Sequence, residues 1–259
     1  MSSQAPALEF RNVTHHFPAQ GRSERLTVVR NVSLVIPDNE VVSLIGPSGC
    51  GKSTLLNMGA GLFRPSEGEV LFQKQPVRKP HPQIAFMLQK DLLMPWRTIV
   101  GNAEYGLELR GVPAAERRKQ ALDVLRRCHL AGFENHYPHQ LSGGMRQRAA
   151  LARTLAVSPK VLLLDEPFSA VDAQTKMRLQ QDLAEMLVDE QKTALFITHD
   201  LTEAVILTDR ILVMSDRPGT ILEEIVVDLP FRNNPLKRRQ LDAVNPYVRR
   251  LMNLLQIAN

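Results

Sequence analysis

The apolar positions change rhythm twice along the chain. Residues 8–17 (Leu-Glu-Phe-Arg-Asn-Val-Thr-His-His-Phe) put Leu8, Phe10 and Val13 at strand-like spacing and predict a strand. Pro18 to Arg25 is polar, contains Gly21 and predicts a loop. Val28 to Ile36 predicts a second strand, closed by Pro37-Asp38, and Val41 to Ile45 a third, followed by a helix that ends near Gly59 to Gly61. Glu69 to Phe72 predicts a short strand, and Gln75 to Pro82, with three prolines, an irregular segment. Ile84 to Gln89 predicts a strand leading into a loop. From about Asp91 to Ala156 the strand signals give way to helical ones. Ala114 to Leu130 sets Ala121, Leu122, Leu125 and Cys128 on one face, with Pro113 near its start and Gly132 beyond its end. Met145 to Ala156 predicts a second amphipathic helix. Strands then return at Val161–Asp165, Ala194–Thr198 and Ile211–Met214, each nearly continuously apolar, as in a sheet covered on both faces. Ala173–Gln191 and Leu201–Thr208 between them are helical, and Ile221–Val227 predicts a final edge hairpin.

This order predicts an α/β fold with a wound, mostly parallel sheet and ligand chemistry at the carboxyl ends of its strands. We divide the chain as one domain, 1–259. Residues 1–90 and 157–229 form the catalytic core, 91–156 an inserted helical subdomain, and 230–259 a short basic helical extension.

Composition narrows the class. The 259 residues are 44% hydrophobic and 23% charged, an ordinary globular balance. The net charge of +5 suits anionic ligands but is spread along the chain. The clusters Arg117-Arg118-Lys119, Lys237-Arg238-Arg239 and Arg249-Arg250 read as solvated helix faces, and no interleaved aromatics or motif point to nucleic acid. Two cysteines, Cys50 and Cys128, make no disulfide framework and suit a reducing cytoplasm. Met1 to Phe10 lacks the pattern of a signal peptide. No apolar run approaches the ~20 residues of a membrane span, so a membrane role is expected through a partner.

Gly46-Pro47-Ser48-Gly49-Cys50-Gly51-Lys52-Ser53-Thr54 follows a strand and opens a helix. This is the G-x-x-x-x-G-K-[ST] phosphate loop in its required context. Gly46, Gly49 and Gly51 allow a row of N–H groups to turn inward, and the helix adds its positive end. Lys52 is expected to reach the β- and γ-phosphates, and the Ser53 hydroxyl to face Mg²⁺. Cys50, beside Lys52, is expected to react with thiol reagents unless a bound nucleotide protects it.

Two further segments carry chemistry. Val161-Leu162-Leu163-Leu164-Asp165-Glu166 ends an apolar strand in two acids, which is costly unless they have work or partners. Asp165 is placed to hold Mg²⁺, and Glu166 to polarise an attacking water. Leu141-Ser142-Gly143-Gly144-Met145 offers Ser142 as a helix cap and Gly143 and Gly144 as open backbone donors, a second phosphate-binding helix start.

Taken with these motifs, the sequence resembles the ATP-binding cassette (ABC) ATPase subunits of membrane transporters over nearly its whole length. Phe17 matches the aromatic that stacks on adenine, and Gln89 the glutamine between core and helical parts, which also faces the metal. Leu141–Met145 matches the signature Leu-Ser-Gly-Gly-Gln. Asp165 and Glu166 match the Mg²⁺ ligand and catalytic base. Ser169-Ala170-Val171-Asp172 matches the loop that communicates across a dimer, and His199 the switch histidine. The resemblance implies a phosphate-loop NTPase core with an antiparallel β subdomain and a helical subdomain carrying the signature. It implies ATP and Mg²⁺, and two copies packed head to tail, with Ser142 and Gly144 acting across the interface and Gly143 and Asp172 also binding the nucleotide. It further implies integral-membrane permease subunits, indirectly a solute-binding protein, and a peripheral position on the cytoplasmic face of the membrane. Met145 departs from the signature's glutamine and cannot donate a hydrogen bond.

Leu88 to Thr98 and Ser215-Asp216-Arg217-Pro218-Gly219 look like the importer branch for nitrate, sulfonate, taurine and related anions, where Leu-Ser-Gly-Gly-Met is also at home. An exporter or lipid-transport cassette is an alternative with the same chemistry. A non-transport cassette acting on DNA or ribosomes is a third, though the chain has one of each motif and no heptad run.

Overall fold

A computed structural model of the chain describes residues 6–18 and 25–256. Most of the loop expected between Pro18 and Arg25, and the start of the segment read for a signal peptide, lie outside them.

Two sheets organise the chain. The first is antiparallel, in the order β2-β1-β4-β5, from β1 (Leu8–Pro18), β2 (Arg25–Ile36), β4 (Glu67–Phe72) and β5 (Gln75–Pro76). β5 takes the first two residues of the segment expected to be irregular, and residues 77–82 are irregular as expected. β5 pairs with β4 through Leu71↔Pro76 and Phe72↔Gln75. The turn is Gln73-Lys74, both at positive φ (49° and 67°). Neither residue is one of the Asn or Gly types that announce such a turn, so the pattern hides it.

The second sheet has the order β10-β9-β3-β8-β7-β6. Its strands are β3 (Val41–Ile45), β6 (Ile84–Met87), β7 (Val161–Asp165), β8 (Thr193–Ile197), β9 (Arg210–Met214) and β10 (Ile221–Val226). The first five run parallel, and β10 closes the edge antiparallel to β9. All five residues of β3, of β7 and of β8 are buried, which explains their unbroken apolar character. Alternation divides them between two cores: Val42 and Leu44 face the antiparallel sheet, while Val41 and Ile45 face the opposite layer.

α1 (Lys52–Gly59) packs between the two sheets. The helical insert contains α2 (Ile99–Leu109), α3 (Ala114–Arg127) and α4 (Gly143–Ala156), which pack on one another. Ala121, Leu125 and Cys128 are buried as the periodicity required, and burial pushes the Cys128 thiol up to about 12. α5 (Ala173–Asp189) and α6 (Leu201–Leu207) cover the parallel sheet.

The extension is α7 (Pro235–Arg239) and α8 (Val244–Leu254). Here one basic residue departs from expectation. Arg238, read as part of a solvated face, is only 2% exposed. Its guanidinium donates to four main-chain carbonyls, those of Pro230, Leu229, Ile206 and Thr208. Two of these carbonyls lie at the end of α6 and two just after β10, so the contact docks the extension against both.

Candidate nucleotide-hydrolysing site

The parallel strands deliver the predicted chemistry to one end of the sheet. The register sets Asp165 of β7 opposite Ile197 of β8, and Ile197 opposite Leu44 of β3. The phosphate loop, Asp165-Glu166, His199 and Gln89 thus all leave carboxyl ends of parallel strands.

The phosphate loop is built to leave donors free. Gly51, at φ 110°, is the N-cap of α1 and offers no side-chain cap, so the first-turn N–H groups keep their capacity for an anion. A Cβ at Gly51 would lie 2.4 Å from Val29 Cγ1, so only glycine lets the loop rest on β2. Lys52 Nζ donates to the carbonyls of Gly46 (2.7 Å) and Pro47 (2.8 Å). The ammonium thereby offsets two loop oxygens that would otherwise repel an anion there. Ser48, Gly49 and Ser53 are exposed, and Thr54 is half-buried. A cleft of about 340 Å³ beside the loop is lined by Phe17, Leu26, Val28, Lys52, Ser53 and Thr54 among others. Phe17 stands at its wall, 38% exposed, with the His15 ring edge-on at 4.6 Å. A flat aromatic facing a cationic loop across such a cleft suits a base with a phosphate chain.

Cys50 is 1% exposed. Its Sγ lies 3.8 Å from Lys52 Nζ. This burial corrects the expectation of ready reaction with thiol reagents, since attack needs access as well as a thiolate.

Asp165 is 5% exposed, and burial raises its carboxyl above the usual range, with the neighbouring Ser53 hydroxyl and Lys52 ammonium acting the other way. Among the described residues no group of three or more His, Cys, Asp or Glu could hold a metal alone. The oxygen groups that would face such an ion are instead the Ser53 hydroxyl and the neighbouring Asp165 carboxylate. This set fits Mg²⁺, which takes one or two protein oxygens and completes its shell with phosphates and water. A buried carboxylate without a cation is destabilising. Its raised pKa means the native protein holds its proton to higher pH than the unfolded chain does, and the associated stability is lost as pH rises. Asp165→Asn is therefore expected to raise the melting temperature of nucleotide-free protein at neutral pH by about 2–4 °C per kcal/mol recovered. The gain should shrink toward about pH 4. Thermal melts of both proteins across pH check this, and a gap that does not change with pH counts against it.

Glu166 occupies the αL region at φ 49°, an uncommon place for a side chain of its size. Its N–H donates to Ile197 O at 3.0 Å, which ties β7 to β8 just where the strands end. Its carboxylate receives Gln89 Nε2 at 3.0 Å and lies 3.3 Å from His199 Nδ1. The three residues expected to act together, Gln89, Glu166 and His199, do meet.

Several supporting residues escaped the sequence reading. Gln147, 3% exposed on α4, donates to Glu166 O (2.9 Å) and accepts from Ala170 N (2.9 Å). It joins the helix after the signature to both the acid and the loop Ser169–Asp172. Thr198 and buried Glu203 hold the other side. Glu203 accepts from the Thr198 hydroxyl, from Gln180 (2.7 Å) and from Lys176 (3.1 Å), so His199 stands on a fixed base. Arg146 pairs with Asp91 at 3.0 Å, and Arg153 donates to the carbonyls of Asp91 and Leu92, which pins the segment after Gln89 to α4. A buried glutamine and paired arginines look like ordinary helix residues in sequence; only their partners give them away.

The signature residues lie apart from this cluster. Ser142 caps α4 by accepting from Met145 N at 3.3 Å, and Ser142 and Gly143 are exposed. A Cβ at Gly144 would sit 3.0 Å from Ala170 O, so this glycine also serves close packing against the Ser169–Asp172 loop. Met145 packs against the core, a use that suits a thioether. Asp172 caps α5 through Thr175 N at 3.0 Å and is exposed. Ser142, Gly143, Gly144 and Asp172 do not line the cleft beside Lys52.

A phosphate loop at the head of a parallel sheet, with paired acids on a neighbouring strand, defines a nucleotide-binding ATPase. Comparison with known proteins gives the family. The ABC transporter family matches residues 29–169. The chain is 43% identical to an uncharacterized ABC transporter ATP-binding protein of Methanocaldococcus jannaschii, over 96% of this chain and 91% of that one. It is 47% identical to the taurine import ATP-binding protein TauB of Yersinia pestis, over 76% of this chain and 77% of TauB. A solved dimer of the ATP-binding cassette MJ0796, bound to ADP and Pi, superimposes with a TM-score of 0.79 at 34% identity, covering 86% of this chain and 99% of that one. The chain belongs to the ABC transporter family and is an ATP-binding, ATP-hydrolysing transporter subunit.

Proposed function

We propose that this ATPase powers import of a small anion of the nitrate, sulfonate or taurine type through a membrane permease. The observation that carries the importer reading is the similarity to a taurine import ATP-binding protein. The segments Leu88–Thr98 and Ser215–Gly219 support it.

Phe17 stacks the adenine, residues Gly46 to Thr54 hold the phosphates, and Ser53, Asp165 and Gln89 serve Mg²⁺. The metal, when bound, neutralises charge on the phosphate oxygens. Glu166 takes a proton from, or orients, the attacking water, and His199 contacts the γ-phosphate. Gln89 links that event to the partner protein. Two copies pack head to tail, so that Ser142, Gly143 and Gly144 of one, with Asp172 beside them, complete the cleft of the other. The exposed cap of α4, which does not line its own chain's cleft, supports that arrangement, as does the dimer seen for the similar cassette.

Among the described residues no helix is long and apolar enough to cross a membrane. The permease contact is carried by the segment after Gln89, where Trp96 is 74% and Leu92 56% exposed. Side chains so apolar are costly to leave in water, and they lie on the segment that Arg146 and Arg153 tie to the signature helix. The protein sits peripherally on the cytoplasmic face, and a solute-binding protein supplies the anion from outside.

Deleting the gene is expected to abolish uptake of one labelled anion from a panel of nitrate, taurine and longer alkanesulfonates, with rescue by wild type and not by Glu166→Gln. Unchanged uptake of every member in a strain without paralogues sinks the importer assignment. Co-purification with a permease that moves solute outward favours the exporter alternative.

A further inference from the structure

The turn between β9 and β10 lies across the phosphate loop, and no role assigned above uses it. Three contacts join them. Arg217 donates from both Nε (3.0 Å) and Nη2 (2.9 Å) to Gly49 O. Gly219 packs so close to Cys50 that a Cβ there would lie 2.1 Å from Cys50 O. The start of the turn leaves Met214, whose Cβ would be 3.0 Å from a Cβ built on Gly46. The turn is itself rigid. Ser215 Oγ bonds to Asp216 O (2.9 Å) and to Thr220 Oγ1 (3.1 Å), and Gly219 N donates to Val28 O (2.8 Å) on β2. So Arg217 is held by a fixed strap, not by a wandering side chain alone.

Its position is specific. Arg217 lines the same cleft as Phe17, Lys52 and Thr54, and it is exposed. Among the described residues, Lys52 and Arg217 are the two cations of that lining. They share a device: each engages loop carbonyls, Lys52 those of Gly46 and Pro47, Arg217 that of Gly49. Each cation thereby offsets the negative end of a loop carbonyl that would otherwise repel an anion in the cleft. Of the five guanidinium N–H bonds, Gly49 O engages two, and the other three have no protein partner among the described residues.

We propose that Arg217 is a nucleotide-binding residue, a second cation for the phosphate chain that is set in place by its grip on Gly49 of the phosphate loop. The proposal rests on the cleft beside Lys52 being the nucleotide site. Arginine suits the task better than lysine, because its planar fork can keep the Gly49 carbonyl while its remaining donors reach a phosphate oxygen.

The test is equilibrium binding of ATP and AMP, without turnover, to wild type, Arg217→Ala, Arg217→Gln, Arg217→Lys and Lys52→Ala. Arg217→Ala and Arg217→Gln are expected to weaken ATP binding roughly fivefold, a size suited to an exposed charged contact. AMP should lose less, since fewer phosphate charges are involved. Arg217→Lys should recover part of the ATP affinity by restoring the charge. In hydrolysis assays the loss should appear in KM, with kcat within about twofold of wild type. ATP binding by Arg217→Ala and Arg217→Gln within about twofold of wild type overturns the proposal while Lys52→Ala still loses affinity. Equal losses for ATP and AMP also overturn it, because they mark a packing role. If Lys52→Ala binds ATP normally as well, the site reading itself has failed.

Discussion

Glu166→Gln protein is expected to bind ATP and hydrolyse it roughly 10²–10⁴-fold more slowly than wild type, the usual range for losing a general base. The substitution is nearly isosteric. The amide can keep a hydrogen bond with Gln89 or His199, which both reach the carboxylate now (3.0 and 3.3 Å). The backbone, at φ 49°, is as uncommon for glutamine as for glutamate, so the fold is not further strained. What disappears is basicity, since an amide does not accept a proton near neutral pH. Removing this charge also removes a repulsion that contributes to the raised pKa of Asp165, so Asp165 ionises more readily in the variant. With ATP bound and uncleaved, the protein should accumulate as a dimer in size-exclusion chromatography with ATP. Steady-state hydrolysis at the wild-type rate would sink the assignment of Glu166 as base.

Lys52→Ala has the second large effect, and it falls on binding rather than on turnover. A hydrogen bond from an ammonium to an anionic partner contributes about 1.5–3 kcal/mol, or roughly 10- to 150-fold in Kd. Lys52 does more than supply charge, because its ammonium occupies the carbonyls of Gly46 and Pro47. Without it those two oxygens face the incoming phosphates unopposed, so the loss should lie at the upper end of that range. The side chain is only partly buried and fills no core cavity, so the melting temperature of nucleotide-free protein should hardly move. Calorimetric titration with ATP measures the first and a thermal melt the second. Unchanged ATP affinity in a folded variant would undo the reading of residues 46–54 as a phosphate loop.

Local chemistry made most of this protein legible. The strand–loop–helix around Gly46 to Thr54 could be read because each part depends on residues within a few positions: β-branched apolar residues for the strand, glycines for the turn, and no side-chain cap at the helix start. The apolar runs of β7, β8 and β9 announced a buried sheet for the same reason. Legibility failed where a local signal was missing, as at the Gln73-Lys74 turn, or misleading, as at Arg238. A basic triplet says nothing of which member will meet main-chain carbonyls from another element. Cys50 failed in a related way: its neighbours suggested reactivity, but access is a property of the packed loop.

The sequence by itself determined the chemical groups, their order and the elements that carry them, because periodicity and turn chemistry act over a few residues. The tertiary structure alone decided which groups meet. Gln89, Glu166 and His199 come from three different strand ends, and they converge only because β6, β7 and β8 are neighbours in the sheet. Gln147 gains its work from the path of α4 past Glu166, and Arg217 from an edge hairpin that falls across a loop 168 residues earlier. Such contacts follow from strand order and the close approach of backbones at Gly144 and Gly219, and these are settled by burying two faces of one sheet at once, which no short stretch of chain can encode.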